Sequence, residues 1–159
     1  METGTKEMVV RTIRQLLPVE LPSLLEMAHK FYEDSGLPGV FNDEVFIRAW
    51  TGFITGGTGA IFVVLEKNKV LGGLGGLTYK DICTGSGRSL EAFWYVDEKS
   101  RHTGVGSQLL YEFEQWSRSH GCTVMVMGAI MMPGFTDLEK FYVGEGFKVS
   151  EVNFSKELT

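Results

Sequence analysis

The sequence predicts an α/β fold, because segments with strand patterns and segments with helical patterns follow one another along the chain. Two apolar segments joined by a short polar turn predict a β-hairpin in the middle of the chain, and the order strand, helix, strand, helix follows toward the C-terminus. The 159 residues are 43% hydrophobic and 22% charged, which is typical of a globular domain. We therefore expect one domain over residues 1–159.

The first part of the chain contains a predicted strand and two predicted helices. Met8 to Arg14 has a strand pattern, and Pro18 to Glu33 has apolar residues at helical spacing. These residues are Leu21, Leu24, Leu25, Ala28 and Phe31. After a break at Gly36 to Gly39, Asn42 is a suitable N-cap for the second helix. We expect this helix to bury one apolar face, made of Val45, Phe46, Ala49, Trp50 and Phe53.

A β-hairpin is predicted next. Its strands are Ala60 to Leu65 and Val70 to Tyr79, and the polar residues 66–69 form the turn. The repeated glycines between Leu71 and Leu77 resemble those of a nucleotide-binding loop, but they lack the strand-to-helix setting and the spacing of such a motif. We interpret them as part of a strand whose bare backbone allows close approach of other groups or a bulge.

The second half of the chain alternates between strands and helices. The predicted elements are a strand from Ser89 to Val96, a helix from Gly104 to Ser119, a buried strand from Cys122 to Met127, a short helix from Thr136 to Glu145, and closing strands from Phe147 to Val152 and at Phe154. Gly121 is expected to end the long helix.

Charge and cysteine content argue against several classes of protein. The net charge of −5 argues against a nucleic-acid-binding surface and mildly favours a cationic partner such as an amine. Cys83 and Cys122 form neither a disulfide framework nor the paired spacing of a zinc site, so we expect no metal. Neither a signal peptide nor a bilayer-spanning stretch is visible, so we expect no membrane association and a cytoplasmic location.

A glycine pattern marks a candidate anion site. Arg101 to Gly106 has the spacing R-x-x-G-x-G, directly follows a predicted strand and opens the next predicted helix. The first N–H groups of a helix have no acceptor within it and favour anions such as phosphate. Gly104 and Gly106 allow unusual dihedral angles and close approach of phosphate oxygens, and Arg101 can add a charge-assisted contact.

This pattern resembles the signature Q/R-x-x-G-x-G/A of the GNAT acetyltransferases, which lies at the same junction of strand and helix. The flanking segments Phe93 to Asp97 and Ser107 to Leu110 resemble the usual flanks in the family. Phe141 to Phe147 resembles a second family segment, F-Y-x-x-x-G-F, near the C-terminus. Together with the matching order of elements, the resemblance covers essentially the whole chain.

The resemblance implies the acyl-CoA N-acyltransferase (GNAT) fold, a mixed sheet flanked by helices that splays between its fourth and fifth strands. Acetyl-CoA, as the co-substrate, would lie in this opening. The backbone of Tyr95 and Val96 would pair with the pantetheine arm. The remaining coenzyme contacts would come from Arg101, His102, Thr103, Gly104, Val105, Gly106 and Ser107.

The resemblance also suggests two catalytic residues, since acyl transfer needs a neutral amine and a proton for the departing thiolate. Tyr142 matches a family position whose hydroxyl often serves as general acid, and the alternative is a tyrosine that only packs beside Phe141. Glu91 resembles the position of a general-base carboxylate, and the alternative is a solvent-facing side chain on the strand. Asp97 is a turn residue or a substitute base.

The chain departs from the family before the last helix. Many members have an asparagine there that holds the coenzyme or a water, and Phe135 takes its place in this sequence. We therefore expect an altered pocket and leave the acceptor open. By position, Tyr32, Glu33 and Phe41 are candidate contacts for it.

We therefore predict an N-acetyltransferase that moves the acetyl group of acetyl-CoA to a primary amine by direct attack in a ternary complex. The acceptor would be a small-molecule amine or an amine of a peptide or protein. Two alternatives from other classes stay open. One is a catalytically silent CoA-binding regulatory module, and the other is a structural domain that dimerises through its sheet edge. The sequence leaves open whether the enzyme itself is a homodimer.

Overall fold

A computed structural model of the protein describes residues 10–131 and 133–158. In this part of the chain, five strands form one sheet in the order β1-β2-β3-β4-β5. They are β1 (Arg11–Gln15), β2 (Gly59–Glu66), β3 (Lys69–Lys80), β4 (Gly87–Val96) and β5 (Cys122–Val126). Strands β1 to β4 pair antiparallel and β5 lies parallel to β4, so the sheet is mixed.

Helices connect these strands and flank the sheet. The α-helices are α1 (Leu25–Ser35), α2 (Asp43–Thr55), α3 (Val105–Ser119) and α4 (Phe135–Gly144), and 3-10 helices cover Pro18–Leu24 and Glu98–Ser100. None of the described helices is long and apolar enough to cross a bilayer. The α/β fold class expected from the sequence is confirmed.

The first predicted helix is divided into two parts. We expected one helix from Pro18 to Glu33, but its first turns are a 3-10 helix, and the α-helix begins only at Leu25. Pro22 lies inside the 3-10 segment. Proline has no backbone N–H and its ring collides with the preceding turn of an α-helix, which accounts for the tighter winding.

The second helix is capped as predicted. The side-chain oxygen Oδ1 of Asn42 accepts a hydrogen bond of 3.0 Å from the backbone N–H of Val45, which satisfies one of the unpaired donors at the helix start. The predicted apolar face is only partly buried, because Trp50 is buried but Val45 is 51% exposed. Val45 lies in the first turn of α2.

The predicted hairpin is formed by β2 and β3. Its turn places Lys67 and Asn68 at φ values of 48° and 64°. Two consecutive residues with positive φ are the mark of a type I′ turn, whose twist matches that of the two strands that it joins. The polar segment predicted as the turn therefore sets the register of the hairpin.

The glycines of β3 allow two aromatic rings to approach the sheet. A Cβ atom on Gly75 would lie 2.4 Å from the ring of Phe93, and one on Gly76 would lie 2.2 Å from the ring of Phe113. Real atoms do not approach so closely, so no side chain fits at either position without movement. The interpretation of these glycines as a strand with a bare backbone is confirmed.

Hydrophobic cores lie on both faces of the sheet. Phe62 of β2 packs with Phe113 of α3 on one face, and Ile61 packs with Trp50 of α2 on the other. Successive strand residues point to opposite faces, so a strand covered on both sides is apolar throughout. This explains the continuous apolar run of β2 and places α3 opposite α1 and α2.

Two expectations about strands in the C-terminal part of the chain are corrected. The strand predicted from Cys122 to Met127 forms as β5, but its side chains are half-buried or exposed rather than buried. The closing strands predicted from Phe147 to Val152 and at Phe154 are absent from residues 147–158. In that segment Phe147 and Val149 fall on one face of an extended chain and Val152 and Phe154 on the other, so no single face could be buried.

The first strand begins later than predicted. We expected it to run from Met8 to Arg14, and it covers Arg11–Gln15. Met8 and Val9 lie outside the described residues.

Candidate active site

β4 and β5 separate partway along β4, after Leu90. β4 pairs with β5 only over residues 87–90, so the edge of β4 from Glu91 to Val96 has no strand partner on that side within residues 10–131 and 133–158. The pairing of β4 with β3 is also interrupted there, because Gly75 lies opposite Phe93 and Gly76 opposite Glu91, which leaves Ala92 as a bulge. An opening with unpaired backbone groups along one wall results.

Glu91 and Tyr142 meet at the start of this opening through one glycine. The backbone N–H of Gly128 donates to Oε2 of Glu91 at 2.9 Å. The hydroxyl of Tyr142 donates to the carbonyl oxygen of Gly128 at 2.8 Å. The structure therefore brings both predicted catalytic side chains together, from β4 and from α4, although they are far apart in the sequence.

Burial controls the ionisation of both groups. It raises the pKa of the Glu91 carboxyl to about 7, and the hydrogen bond from the Gly128 N–H only partly opposes this. Burial also raises the pKa of the Tyr142 hydroxyl, and the negative charge of Glu91 raises it further. Near neutral pH the carboxyl can thus gain or lose a proton, while the phenol stays protonated.

The glycine pattern forms an exposed loop at the N-terminus of α3. Gly104 precedes the helix with a φ of 87°, and His102 has a φ of 61°. In the described part of the chain, the backbone N–H groups of residues 102–107 have no hydrogen-bond acceptor. Unpaired N–H groups at the positive end of a helix form a cradle for an anion such as phosphate.

The two glycines of this loop are needed for different reasons. A Cβ atom on Gly104 would meet nothing within 4 Å, so the left-handed backbone is what favours glycine there. A Cβ atom on Gly106 would lie 3.1 Å from Cζ2 of Trp94. The Trp94 ring also contacts the rings of Phe141 and Tyr142, with centroids 5.7 and 5.8 Å apart. Trp94 thus connects the loop with Tyr142.

Arg101 is fastened to the end of β4. Its Nε donates to the carbonyl oxygen of Val96 at 3.0 Å, and its guanidinium lies 5.6 Å from the centroid of the Tyr95 ring. The side chain remains exposed at the base of the loop. The ring of Tyr95 is buried.

The residues named for the acceptor lie on α1 and in the α1–α2 connection, and the residue of the altered pocket lies on α4. Tyr32 and Phe41 are in ring contact at the α1–α2 connection, with centroids 5.8 Å apart, and the Tyr32 hydroxyl donates to the carbonyl of Pro38. Glu33 is exposed on α1. Phe135 is the first residue of α4 and is half-buried.

Sequence reasoning missed Gly128. Its contribution comes from two backbone groups, and a glycine carries no side chain that would indicate chemistry. The only available signal was its position at the end of the apolar run that forms β5.

A mixed sheet that opens between two parallel strands, beside a helix start with free N–H groups, defines the acyl-CoA N-acyltransferase fold. The model of the acetyltransferase (GNAT) family matches residues 21–147. The chain therefore belongs to the GNAT acetyltransferase family. No curated protein matches it at a significant level.

Solved structures show the same fold at low sequence identity. The aminoglycoside N-acetyltransferase AAC(6')-Iy in complex with CoA is 20% identical, with a TM-score of 0.76 over 96% of this chain and 98% of that chain. Glucosamine-6-phosphate N-acetyltransferase from Arabidopsis thaliana is 17% identical, with a TM-score of 0.74 over 94% and 99%. Ribosomal-protein-alanine N-acetyltransferase from Brucella melitensis biovar Abortus 2308 is 12% identical, with a TM-score of 0.74 over 94% and 100%.

Proposed function

We propose that the protein is a cytoplasmic N-acetyltransferase that transfers the acetyl group of acetyl-CoA to a primary amine by direct attack in a ternary complex. The observation that carries this proposal is the arrangement of Glu91 and Tyr142 on Gly128, at the place where β4 and β5 separate. A carboxyl and a phenol at the mouth of one opening supply the proton acceptor and the proton donor that acyl transfer requires.

The loop before α3 is the proposed site for the coenzyme phosphates. Its free N–H groups on residues 102–107 and the open space around Gly104 support this role. The backbone of Tyr95 and Val96 would hold the pantetheine arm. The Val96 carbonyl already accepts from Arg101, so this pairing would use other groups of the two residues. Acetyl-CoA supplies a thioester, which is activated toward amines.

Glu91 is the proposed general base. Its carboxyl has a pKa raised to about 7, close to the pH at which a base can both accept a proton and release it again. It would take the proton from the attacking amine, directly or through a water, as the new bond between nitrogen and the acetyl carbon forms.

Tyr142 is the proposed general acid. As the bond between the acetyl carbon and sulfur breaks, its hydroxyl would give a proton to the departing thiolate. In the structure this proton points to the carbonyl of Gly128. A rotation of the O–H bond is therefore needed before donation, and solvent restores the proton afterwards.

Small-molecule amines are the proposed acceptors. The titles of the similar structures name aminoglycosides and glucosamine-6-phosphate, and also a ribosomal-protein alanine, so a peptide amine is the second choice. The net charge of −5 favours the approach of cationic amines. Tyr32, Glu33 and Phe41 stay the proposed acceptor contacts.

The first experiment is a calorimetric titration with acetyl-CoA. We expect saturable binding to the wild type and none to Gly104→Glu, because the new carboxylate would stand among the N–H groups that bind phosphate. Gly85→Glu is the matched control, since Gly85 also has a positive φ and nothing within 4 Å of its Cβ position. A wild type that ignores acetyl-CoA, or equal binding by all three proteins, would contradict the proposal.

A panel of amines then tests turnover through the release of free thiol. Acetylated product from one class of amine would identify the acceptor. Binding of acetyl-CoA without turnover for any amine would instead favour the silent CoA-binding module.

A further inference from the structure

We propose that Gly128 is a positioning residue. Its N–H holds the carboxylate of Glu91 and its carbonyl oxygen holds the hydroxyl of Tyr142, so that both side chains act at the opening between β4 and β5. This inference rests on the proposed function for the roles of the two side chains. The two contacts themselves are independent of it.

Gly128 spans the gap that the separating strands leave. It follows the end of β5 at Val126 by two residues, after the last pair between β4 and β5, Leu90 with Val126. The next residue of β4 is Glu91, which reaches Gly128 through its side chain instead of through a strand pair. From the other side, Tyr142 of α4 reaches the carbonyl of Gly128. One residue thus joins β4, β5 and α4 where the ladder of backbone hydrogen bonds has ended.

Space for the carboxylate explains why this residue is a glycine. A Cβ atom on Gly128 would lie 3.0 Å from Oε2 of Glu91, which is tighter than ordinary contacts. Gly128 is not among the glycines with positive φ, so alanine would not be forced into the left-handed region there. A methyl group would therefore push the carboxylate away from the N–H without straining the main chain.

The contact also influences the charge of Glu91. The hydrogen bond from Gly128 lowers the pKa of this carboxyl, against the larger effect of burial, which raises it. The titratable group that faces Glu91 from α4 is Tyr142, whose own pKa is raised by the Glu91 charge. Loss of the Gly128 contact should therefore shift the ionisation of Glu91 to still higher pH.

A nuclear magnetic resonance titration of the free protein tests the contact without any substitution at Gly128. We expect the amide resonance of Gly128 to move with a midpoint near the pKa of Glu91, about 7, and to lose this movement in Glu91→Gln. A Gly128 amide that does not titrate in the wild type, or that titrates equally in Glu91→Gln, would overturn the proposal. This result does not depend on the substrate.

The positioning role is tested with Gly128→Ala and the control Gly52→Ala, because a Cβ atom on Gly52 meets nothing within 4 Å. We expect Gly128→Ala to lower kcat about tenfold, as loss of one hydrogen bond to a charged group would. The acidic limb of its pH profile should move to higher pH, with KM for acetyl-CoA unchanged. An unchanged pH profile and kcat in folded Gly128→Ala would overturn the role.

Failure of the proposed function gives a different result. If the wild type transfers acetyl groups to no amine while the Gly128 amide titrates with Glu91, the contact is real and the proposed function is wrong. If Gly128→Ala does not fold, the resonance titration of the wild type still decides the contact.

Discussion

Replacement of Glu91 by glutamine should make the protein more stable in alkaline solution. Burial raises the pKa of this carboxyl from 4.5 to about 7, so the folded chain holds the proton more tightly than the unfolded chain. The stabilisation is complete below pH 4.5 and is lost as the pH rises through about 7. Since one pKa unit corresponds to about 1.4 kcal/mol, ionisation of Glu91 should lower the free energy of unfolding by about 3 kcal/mol.

Urea unfolding of the wild type and Glu91→Gln, followed by circular dichroism across this pH range, measures the effect. Glutamine has the size of glutamate and its amide oxygen can still accept from the Gly128 N–H, but it cannot ionise. The two proteins should have similar stability in acid, and the variant should be more stable in alkali by up to about 3 kcal/mol. Glu139→Gln, at an exposed position of α4, is the control and should follow the wild type. Equal pH dependence for the wild type and Glu91→Gln would refute the reasoning.

The other two predictions concern packing and acid catalysis. Gly76→Ala would place a methyl group 2.2 Å from the Phe113 ring, so urea unfolding should show a free energy of unfolding lower by about 1–3 kcal/mol. The control Gly52→Ala should not show this loss. If Gly76→Ala is as stable as the wild type, the Phe113 ring moves freely. Tyr142→Phe removes the proposed proton donor, and kcat should fall by about 10²-fold or more with KM for acetyl-CoA little changed. An unchanged kcat would exclude Tyr142 as the acid.

Local signals in the sequence were sufficient for much of the fold. The cap at Asn42 and the hairpin turn at Lys67 and Asn68 depend on residues within a few positions of one another, and both were predictable. The split of the first helix also has a local cause, because Pro22 lacks the N–H that an α-helix needs at that position. The closing strands were predicted wrongly because the apolar alternation changes phase between Val149 and Val152, which a count of apolar residues does not detect.

The candidate site needed information from beyond local sequence. Glu91 and Tyr142 could be named from the family resemblance, but the bulge at Ala92 and the end of strand pairing at Leu90 depend on how three strands align. Because of those alignments, Glu91 has no partner in β5, and its carboxylate accepts from the N–H of Gly128 instead. Gly128 acts through its backbone, and backbone groups are the same at every residue.

The position of Trp94 gives the protein a built-in optical reporter. Its indole lies between the loop residue Gly106 and the ring of Tyr142, while Trp50 and Trp116, the other two of the three tryptophans, are buried in the two cores. A molecule that settles on the loop is therefore expected to change the surroundings of one fluorophore. A change in emission on addition of acetyl-CoA that is absent in Trp94→Phe would report occupancy of the loop without a label.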